Sequence, residues 1–303
     1  MSARGLLGGL AAVTAAGLAY AHLETKLFTV RHVTVPALPL GERDLRVLHV
    51  SDLHLTPTQH RKIAWVRSLA ELEPDLVIDT GDNLAHREAL GPLLHALEPL
   101  LEQAPGAFVM GSNDYYAPKP KNPARYLWTR SGPRTTSTPN LPAAELAAAM
   151  TSAGWADLTN RRDAVVVDGR RIAFAGVDDP HLGLDEFPAP QPDDGALLRL
   201  GVTHAPYTRV LDQMHADGAD AIIAGHTHGG QLCVPFYGAL VTNCDIDRRR
   251  AKGLHGWPGA RPDSVDGEDS AWLHVSAGAG TSPYAPVRFA CRPEATLITF
   301  TAG

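Results

Sequence analysis

The stretch AGHTHGG, residues 224–230, sets His226 and His228 two positions apart, with one glycine before them and two behind. Imidazole is a common metal ligand, and other ligand types recur along the chain. Asp52 and His54 stand in SDLHL, Asp82 in DTGDN, Asn113 and Asp114 in MGSND, and His204 in THAP. Imidazole, carboxylate and an amide oxygen without thiolate suit Zn, Mn or Fe and disfavour an iron–sulfur cluster. Asp52, His54, Asp82, Asn113, His204, His226 and His228 make seven candidate ligands. If one carboxylate bridges two ions, the seven supply four contacts to each, leaving room for a bridging water and substrate. Glycines beside the histidines would let loops and a phosphate come close, because a backbone without Cβ presents no side chain to clash.

These residues need elements to position them. RVLHVSD, DLVIDTGD and GAFVMGSND read as strands, and LRLGV and DAIIA as two more. IAWVRSLAELEP, REALGPLLHALEPLLE and AAELAAAMTSAG have helical spacing between them. Such alternation predicts βαβ units, a largely parallel first sheet and an α/β fold. DAVVVDGRRIAFAGVDD and AWLHVSAGAG look like a hairpin and sheet edges, which makes a second sheet plausible. Every candidate ligand cluster falls where a strand ends, and in open α/β sheets the carboxyl ends of strands form the rim that binds ligands.

Length and composition set the outer bounds. The 303 residues, 44% hydrophobic, suit two ordinary domains or one large α/β domain with a full core. A formal net charge of −6 argues against stable nucleic-acid binding. Cys233, Cys244 and Cys291 are too few, and odd in number, for a disulfide framework. Residues 1–25 differ from the rest: Leu6 to Ala21 carries no charge, follows Arg4, and ends in Ala19-Tyr20-Ala21, a pattern resembling a signal-peptidase site. A membrane anchor or uncleaved signal fits first, a cleaved signal second, and a soluble amphiphilic helix third. Membrane association through the N-terminus follows as the expected localisation, with cytoplasmic or secreted placement as the alternative. Residues 26–303 are then the catalytic domain.

In order and spacing, SDLHL, DTGDN, MGSND, THAP and AGHTHGGQ resemble the calcineurin-like metallophosphoesterases. GTSPYAPVRFACRPE resembles the membrane-associated bacterial branch of that family, which acts on envelope phosphoesters or phospholipid-like substrates. The resemblance implies a four-layer α/β/β/α sandwich with a dinuclear site on one edge. It places Asp52, His54, Asp82 and His228 around a first ion, makes Asp82 the bridge, and completes the second ion with Asn113, His204 and His226. The family usually reads Gly-Asn-His followed by an acid where this chain has Gly111-Ser112-Asn113-Asp114. Either Asn113 is the amide ligand and the loop is shifted by one, or Ser112 takes the ligand place and Asn113 replaces the histidine. An amide oxygen is the better ligand for a divalent ion, which favours the first. Both leave the family's outer-shell histidine missing.

Asp114 and His181 are the candidates to replace that catalytic histidine. Asp114 adjoins the proposed ligand, although a carboxyl near two cations should ionise. His181, in GVDDPHLG, follows another strand and is the better proton donor. His49 lies within its strand, where packing is the expected role. Residues 115–142 form a proline-rich insertion with Lys119, Lys121, Arg125, Arg130 and Arg134, no acid, and interleaved Tyr115, Tyr116, Tyr126 and Trp128. It is a solvated loop or a lid over an anionic, partly apolar substrate.

The reaction these residues predict is in-line phosphoester hydrolysis, two divalent ions (Mn, Fe or Zn) polarising the phosphoryl oxygens and acidifying a bridging water that attacks as hydroxide. A cell-envelope or phospholipid-like phosphodiester is the expected substrate. A soluble nucleotide or cyclic-nucleotide phosphodiesterase is the alternative within enzymes, and a binding or scaffold protein without turnover is the alternative outside them.

Overall fold

The computed structural model describes residues 3–120, 138–191 and 195–303. A first sheet joins β1 (Thr29–Leu38), β2 (Leu45–Val50), β3 (Leu76–Asp79), β4 (Gly106–Phe108), β5 (Ala156–Asp157) and the C-terminal β14 (Glu294–Ala302), in the order β1-β14-β2-β3-β4-β5. The second joins β6 (Arg162–Val167), β7 (Arg170–Gly176), β8 (Leu198–Thr203), β9 (Ala221–Ala224), β12 (Gly253–Trp257) and β13 (Ala271–Val275), in the order β12-β13-β9-β8-β7-β6. A separate hairpin pairs β10 (Cys233–Val234) with β11 (Gly238–Ala239). The run β2-β3-β4-β5 is parallel throughout, and so is β7-β8-β9-β13.

Alternating side chains turn these sheets into layers, because successive residues of a strand face opposite sides. Val47 and Ile78 point inward to meet Phe174, Val202 and Ile223 of the second sheet, while Leu48 and Val77 point outward. On the outer face of the first sheet lie α2 (His60–Ser68), α3 (Leu90–Gln103) and α5 (Ala143–Ser152). The buried residues of α3 are Leu93, Ala96, Leu97 and Leu100, the single stripe that a period of 3.6 produces. Val210, Leu211 and Met214 of α6 (Thr208–Ala216) cover Ile222, Leu273 and Val275 on the far side of the second sheet. The result is the four-layer α/β/β/α sandwich.

Two expectations need correction. β13 is not an edge but lies between β12 and β9, and all five of its residues are buried. The strand expected over GAFVMGSND ends at Phe108, and the chain turns at Ser112–Tyr115 into the one-turn α4. Most of the 115–142 insertion, including Lys121, Arg125, Tyr126, Trp128, Arg130 and Arg134, lies outside the described residues.

The N-terminal segment forms α1 (Ala3–Glu24), with Ala19-Tyr20-Ala21 inside the helix. Its last turn is docked. Glu24 accepts the backbone N–H groups of Ala290 (3.0 Å) and Cys291 (2.6 Å), and the Arg288 N–H donates to the Ala21 carbonyl at 2.8 Å. Among the described residues no helix is long and apolar enough to cross a membrane; side chains 3–8, 10 and 11 fall outside that description.

Candidate metal centre

Each strand places its cluster on one rim. Asp52 and His54 follow β2, Asp82 follows β3, Asn113 lies beyond β4, His204 follows β8, and His226 and His228 follow β9. The loops are tied together through their backbones: Asp52 N–H donates to Gly81 O, and His54 N–H to Asp82 O, both at 2.9 Å. Five of the seven candidate ligands have left-handed backbone: Asp52 (φ 50°), His54 (41°), Asp82 (57°), His226 (67°) and His228 (50°). Such conformations cost a residue with a Cβ about 1–3 kcal/mol, persist only where the surroundings impose them, and cluster at functional sites.

The seven residues gather in two lobes around Asp82. On one side His54 Nε2 lies 3.4 Å from Asp82 Oδ2 and 3.1 Å from His228 Nε2, and His228 Nε2 is 3.5 Å from Asp52 Oδ1. On the other, His204 Nε2 lies 3.5 Å from Asp82 Oδ1 and 3.1 Å from His226 Nδ1. The Asn113 amide sits on Asp82 as well, with Nδ2 at 2.8 Å from Oδ2 and its backbone N–H at 2.6 Å from Oδ1. Asn113, not Ser112, is therefore the residue of the altered segment that meets the shared carboxylate.

Three imidazoles are held from behind. Nδ1–H of His204 donates to Thr80 O at 2.7 Å, His228 Nδ1 lies 3.1 Å from Gly280 O and 3.3 Å from the Arg288 guanidinium, and His226 Nε2 lies 3.3 Å from Asn243 O and 3.2 Å from Asn243 Nδ2. In each ring the other nitrogen faces the cluster, the orientation that such partners impose on metal-binding histidines. Burial holds His54 down to about 4, and burial with neighbouring cations holds His226 and His228 well below the ordinary histidine range, so these rings are neutral. Burial also opposes protonation of His204, but the carboxylates of Asp82, Asp179 and Asp52 outweigh it and raise it to about 9. Asp52 Oδ1 is buried with no hydrogen-bond partner. A carboxylate oxygen buried without a donor is costly and is what a cation would satisfy, so the set of carboxylates and imidazoles fits divalent metal binding. Asp52, His54 and His228 form one three-ligand group, and Asp52, Asp82 and His204 another.

Asp114 and His181 take different places. Both Asp114 oxygens are occupied by backbone donors, the N–H groups of Asp82, Asn83 and Gly111, each at 2.9 Å. Asp114 thus clamps the Asp82 loop to the Gly111 loop and does not turn toward the cluster. His181 packs its ring 4.5 Å from that of His226 and sets Nδ1 3.1 Å from the Tyr207 hydroxyl.

Several residues that matter here escaped the sequence reading. A buried chain runs from between the sheets to the metal ligands: His274 Nδ1 to His49 Nδ1 (3.0 Å), His49 Nε2 to Thr80 Oγ1 (2.9 Å), Thr80 to Ser51 (2.7 Å), and Ser51 to Asp52 Oδ2 (2.5 Å). Because Thr80 gives its proton to Ser51, it accepts from His49 Nε2–H, and His49 Nδ1 in turn accepts from His274. The chain points its donors toward Asp52. Fully buried Arg288 gathers the carbonyls of Ala277, Gly278 and Gly280 behind His228. The glycines of AGHTHGG serve packing between loops: a Cβ on Gly225 would fall on Ser51 Oγ, and one on Gly229 would lie 2.8 Å from Cys291 Sγ. Only the residue types His49 and Arg288, a basic group in an apolar run, offered a signal.

Comparison with known proteins agrees with this geometry. The family model for calcineurin-like phosphoesterases matches residues 45–230. The chain is 24% identical to the uncharacterized metallophosphoesterase YkuE of Bacillus subtilis strain 168, covering 98% of this chain and 95% of that one. It is 26% identical to phosphodiesterase YaeI of Escherichia coli K12, over 84% of this chain and 81% of that one. Among solved structures, a 5'-nucleotidase precursor from Thermus thermophilus aligns with 85% of this chain and 55% of its own, at 16% identity and a TM-score of 0.42. With more than half its length matched by the family model, and candidate metal ligands gathered on one rim, the chain belongs to the calcineurin-like phosphoesterase family and is a metal-dependent phosphoester hydrolase.

Proposed function

We propose that the chain is a dinuclear phosphodiesterase acting on a phospholipid-like or other cell-envelope phosphodiester, held at the membrane by α1. The observation that carries the dinuclear reading is the pair of lobes sharing Asp82, with His54 on one oxygen and His204 on the other. Two divalent ions of the Mn, Fe or Zn type would supply Lewis acidity toward the phosphoryl oxygens and lower the pKa of a water. The protein's part is to orient and to hold protons. Asp52, His54 and His228 with Asp82 form one binding set, and Asn113, His204 and His226 with Asp82 the other. Thr80, Gly280 and Asn243 hold the three imidazoles with one ring nitrogen aimed inward.

His181 takes the place of the leaving-group acid. Tyr207, whose hydroxyl burial pushes up to about 12, stays protonated and donates to His181 Nδ1, which leaves the ring proton on Nε2. Asp114 is assigned to positioning, since its oxygens are committed to three backbone donors. Metal analysis of purified protein together with a panel of monoesters, diesters and phospholipids, with Mn or Zn added, tests the proposal. Two ions per chain with cleavage of diesters is the expected result. Bound metal without cleavage of any class would instead favour a scaffold, and a preference for soluble nucleotides would remove the lipid assignment.

A further inference from the structure

Beside the metal centre the chain throws out a hairpin whose tip carries exposed apolar side chains. β10 and β11 are joined by Pro235-Phe236-Tyr237, with Val234 opposite Gly238. Phe236 is fully exposed, and Leu232, Val234, Tyr237 and Leu240 are exposed around it. Phe236 also holds φ at 67°, a left-handed conformation that a bulky residue adopts only under constraint. A strained backbone that carries an aromatic ring into solvent is a reason to look for what the ring meets.

The hairpin continues into a larger apolar surface. Leu232 bridges to Phe289, and Cys233 N–H donates to Phe289 O at 2.9 Å. The Phe289 ring meets Tyr20 of α1 edge-on at 5.7 Å, and Leu18 and Leu23 of that largely apolar helix are exposed. The surface adjoins the site, because the turn His228–Gly230 leads directly into Leu232 and Gly230 packs against Ala239.

Its charges are predominantly basic. Of the basic run Arg248–Arg250, Arg250 pairs with Asp247 at 2.9 Å, and Asp245 is engaged by Thr208. That leaves Arg248, stacked 4.8 Å over the Tyr237 ring, and exposed Arg249. A protruding aromatic tip, an adjoining largely apolar helix and two arginines at its base match the two features of interfacial membrane binding, apolar insertion and attraction to anionic headgroups.

We infer that the hairpin 232–240 is a lipid-docking element: Phe236 and Tyr237 insert into an anionic bilayer surface, Arg248 and Arg249 meet its headgroups, and the rim bearing His228 is thereby set against the membrane. Lipid binding is read without turnover, so it stands or falls separately from the phosphodiesterase assignment. Co-sedimentation of the full chain with equimolar phosphatidylglycerol–phosphatidylcholine vesicles tests it. Phe236→Ser with Tyr237→Ser should lower the partition coefficient about tenfold or more, and Arg248→Glu with Arg249→Glu should abolish the preference over pure phosphatidylcholine. Both variants alter exposed side chains and should keep wild-type rates on a small soluble phosphoester. Failure of the full chain to bind, or equal binding by the Phe236/Tyr237 variant, would overturn the inference. So would a dimer in lipid-free sedimentation that the same variant dissociates, since a second copy would then be the occupant.

Discussion

The two sheets contribute unequally to the metal centre. Loops after β2, β3 and β4 of the first sheet bring both carboxylates, Asp52 and Asp82, together with His54 and Asn113, whereas loops after β8 and β9 of the second bring only imidazoles, His204, His226 and His228. Each lobe takes residues from both: His54 meets His228, and Asp82 meets His204. Neither sheet can assemble a lobe alone, so the negative charge of one layer and the lone pairs of the other come together only when the core between them closes.

The strongest way to break this division is at its shared anion. Asp82→Asn removes the negative charge common to both lobes, and turnover should fall by orders of magnitude with weakened metal binding. The fold should survive, because Asp82 lies on the rim. Metal stoichiometry and kcat measured on the same preparation check this, and wild-type values for both would refute the bridging role.

His181→Ala probes the second sheet's contribution outside the ligands. Loss of a general acid typically costs about 10²–10⁴-fold, so the variant should slow substrates with poor leaving groups while sparing an activated aryl phosphodiester and leaving metal content unchanged. Equal losses on both substrates would assign His181 to packing against His226.

His49 joins the sheets from inside, linking His274 of the second to Thr80 and Asp52 of the first. His49→Leu fills the space but ends the donor chain, and supporting hydrogen bonds of this kind are worth about 10–100-fold in metal affinity. Calorimetric Kd values should weaken within that range, with partial recovery in His49→Gln and unchanged near-UV circular dichroism. An unaltered Kd would reduce His49 to a packing residue.

The smallest effect separates His204 from the other histidines by pH. With its folded pKa raised to about 9, His204 is protonated at neutral pH in the metal-free chain and must lose that proton to bind a cation, whereas His54, His226 and His228 are already neutral. Metal affinity should therefore rise by up to about tenfold per pH unit toward pH 9 and then level off. Titration calorimetry in buffers of different ionisation enthalpy should find about one proton released, and a flat profile would place His204 outside the binding set.

Much of the site was legible because ligand types recur at strand ends, and strands of a parallel layer send those ends to one rim. Asp52, His54, Asp82, His204, His226 and His228 could all be named that way. Burial on both faces hid other features: β13 presents a nearly continuous apolar run, so nothing in AWLHV distinguishes an interior strand from an edge. Where the Asp114 carboxylate turns was not legible, because adjacency to a ligand says nothing about it, and three backbone N–H groups from two loops claim it.

The sequence by itself determined the alternation of strands and helices, through its hydrophobic periods, and the chemical inventory of the centre, through residue type and order, while the four-layer arrangement was implied by the family resemblance. Tertiary structure alone decided which histidine faces which carboxylate, which ring nitrogen faces the cluster, and that His49 and Arg288 support the ligands from behind. Those outcomes rest on distances between residues as far apart as His54 and His228 or His49 and His274, and on left-handed backbone at five of the ligands. Local pattern carries no information about such contacts, because they form only when the two sheets pack face to face and fix the geometry of the loops at their common rim.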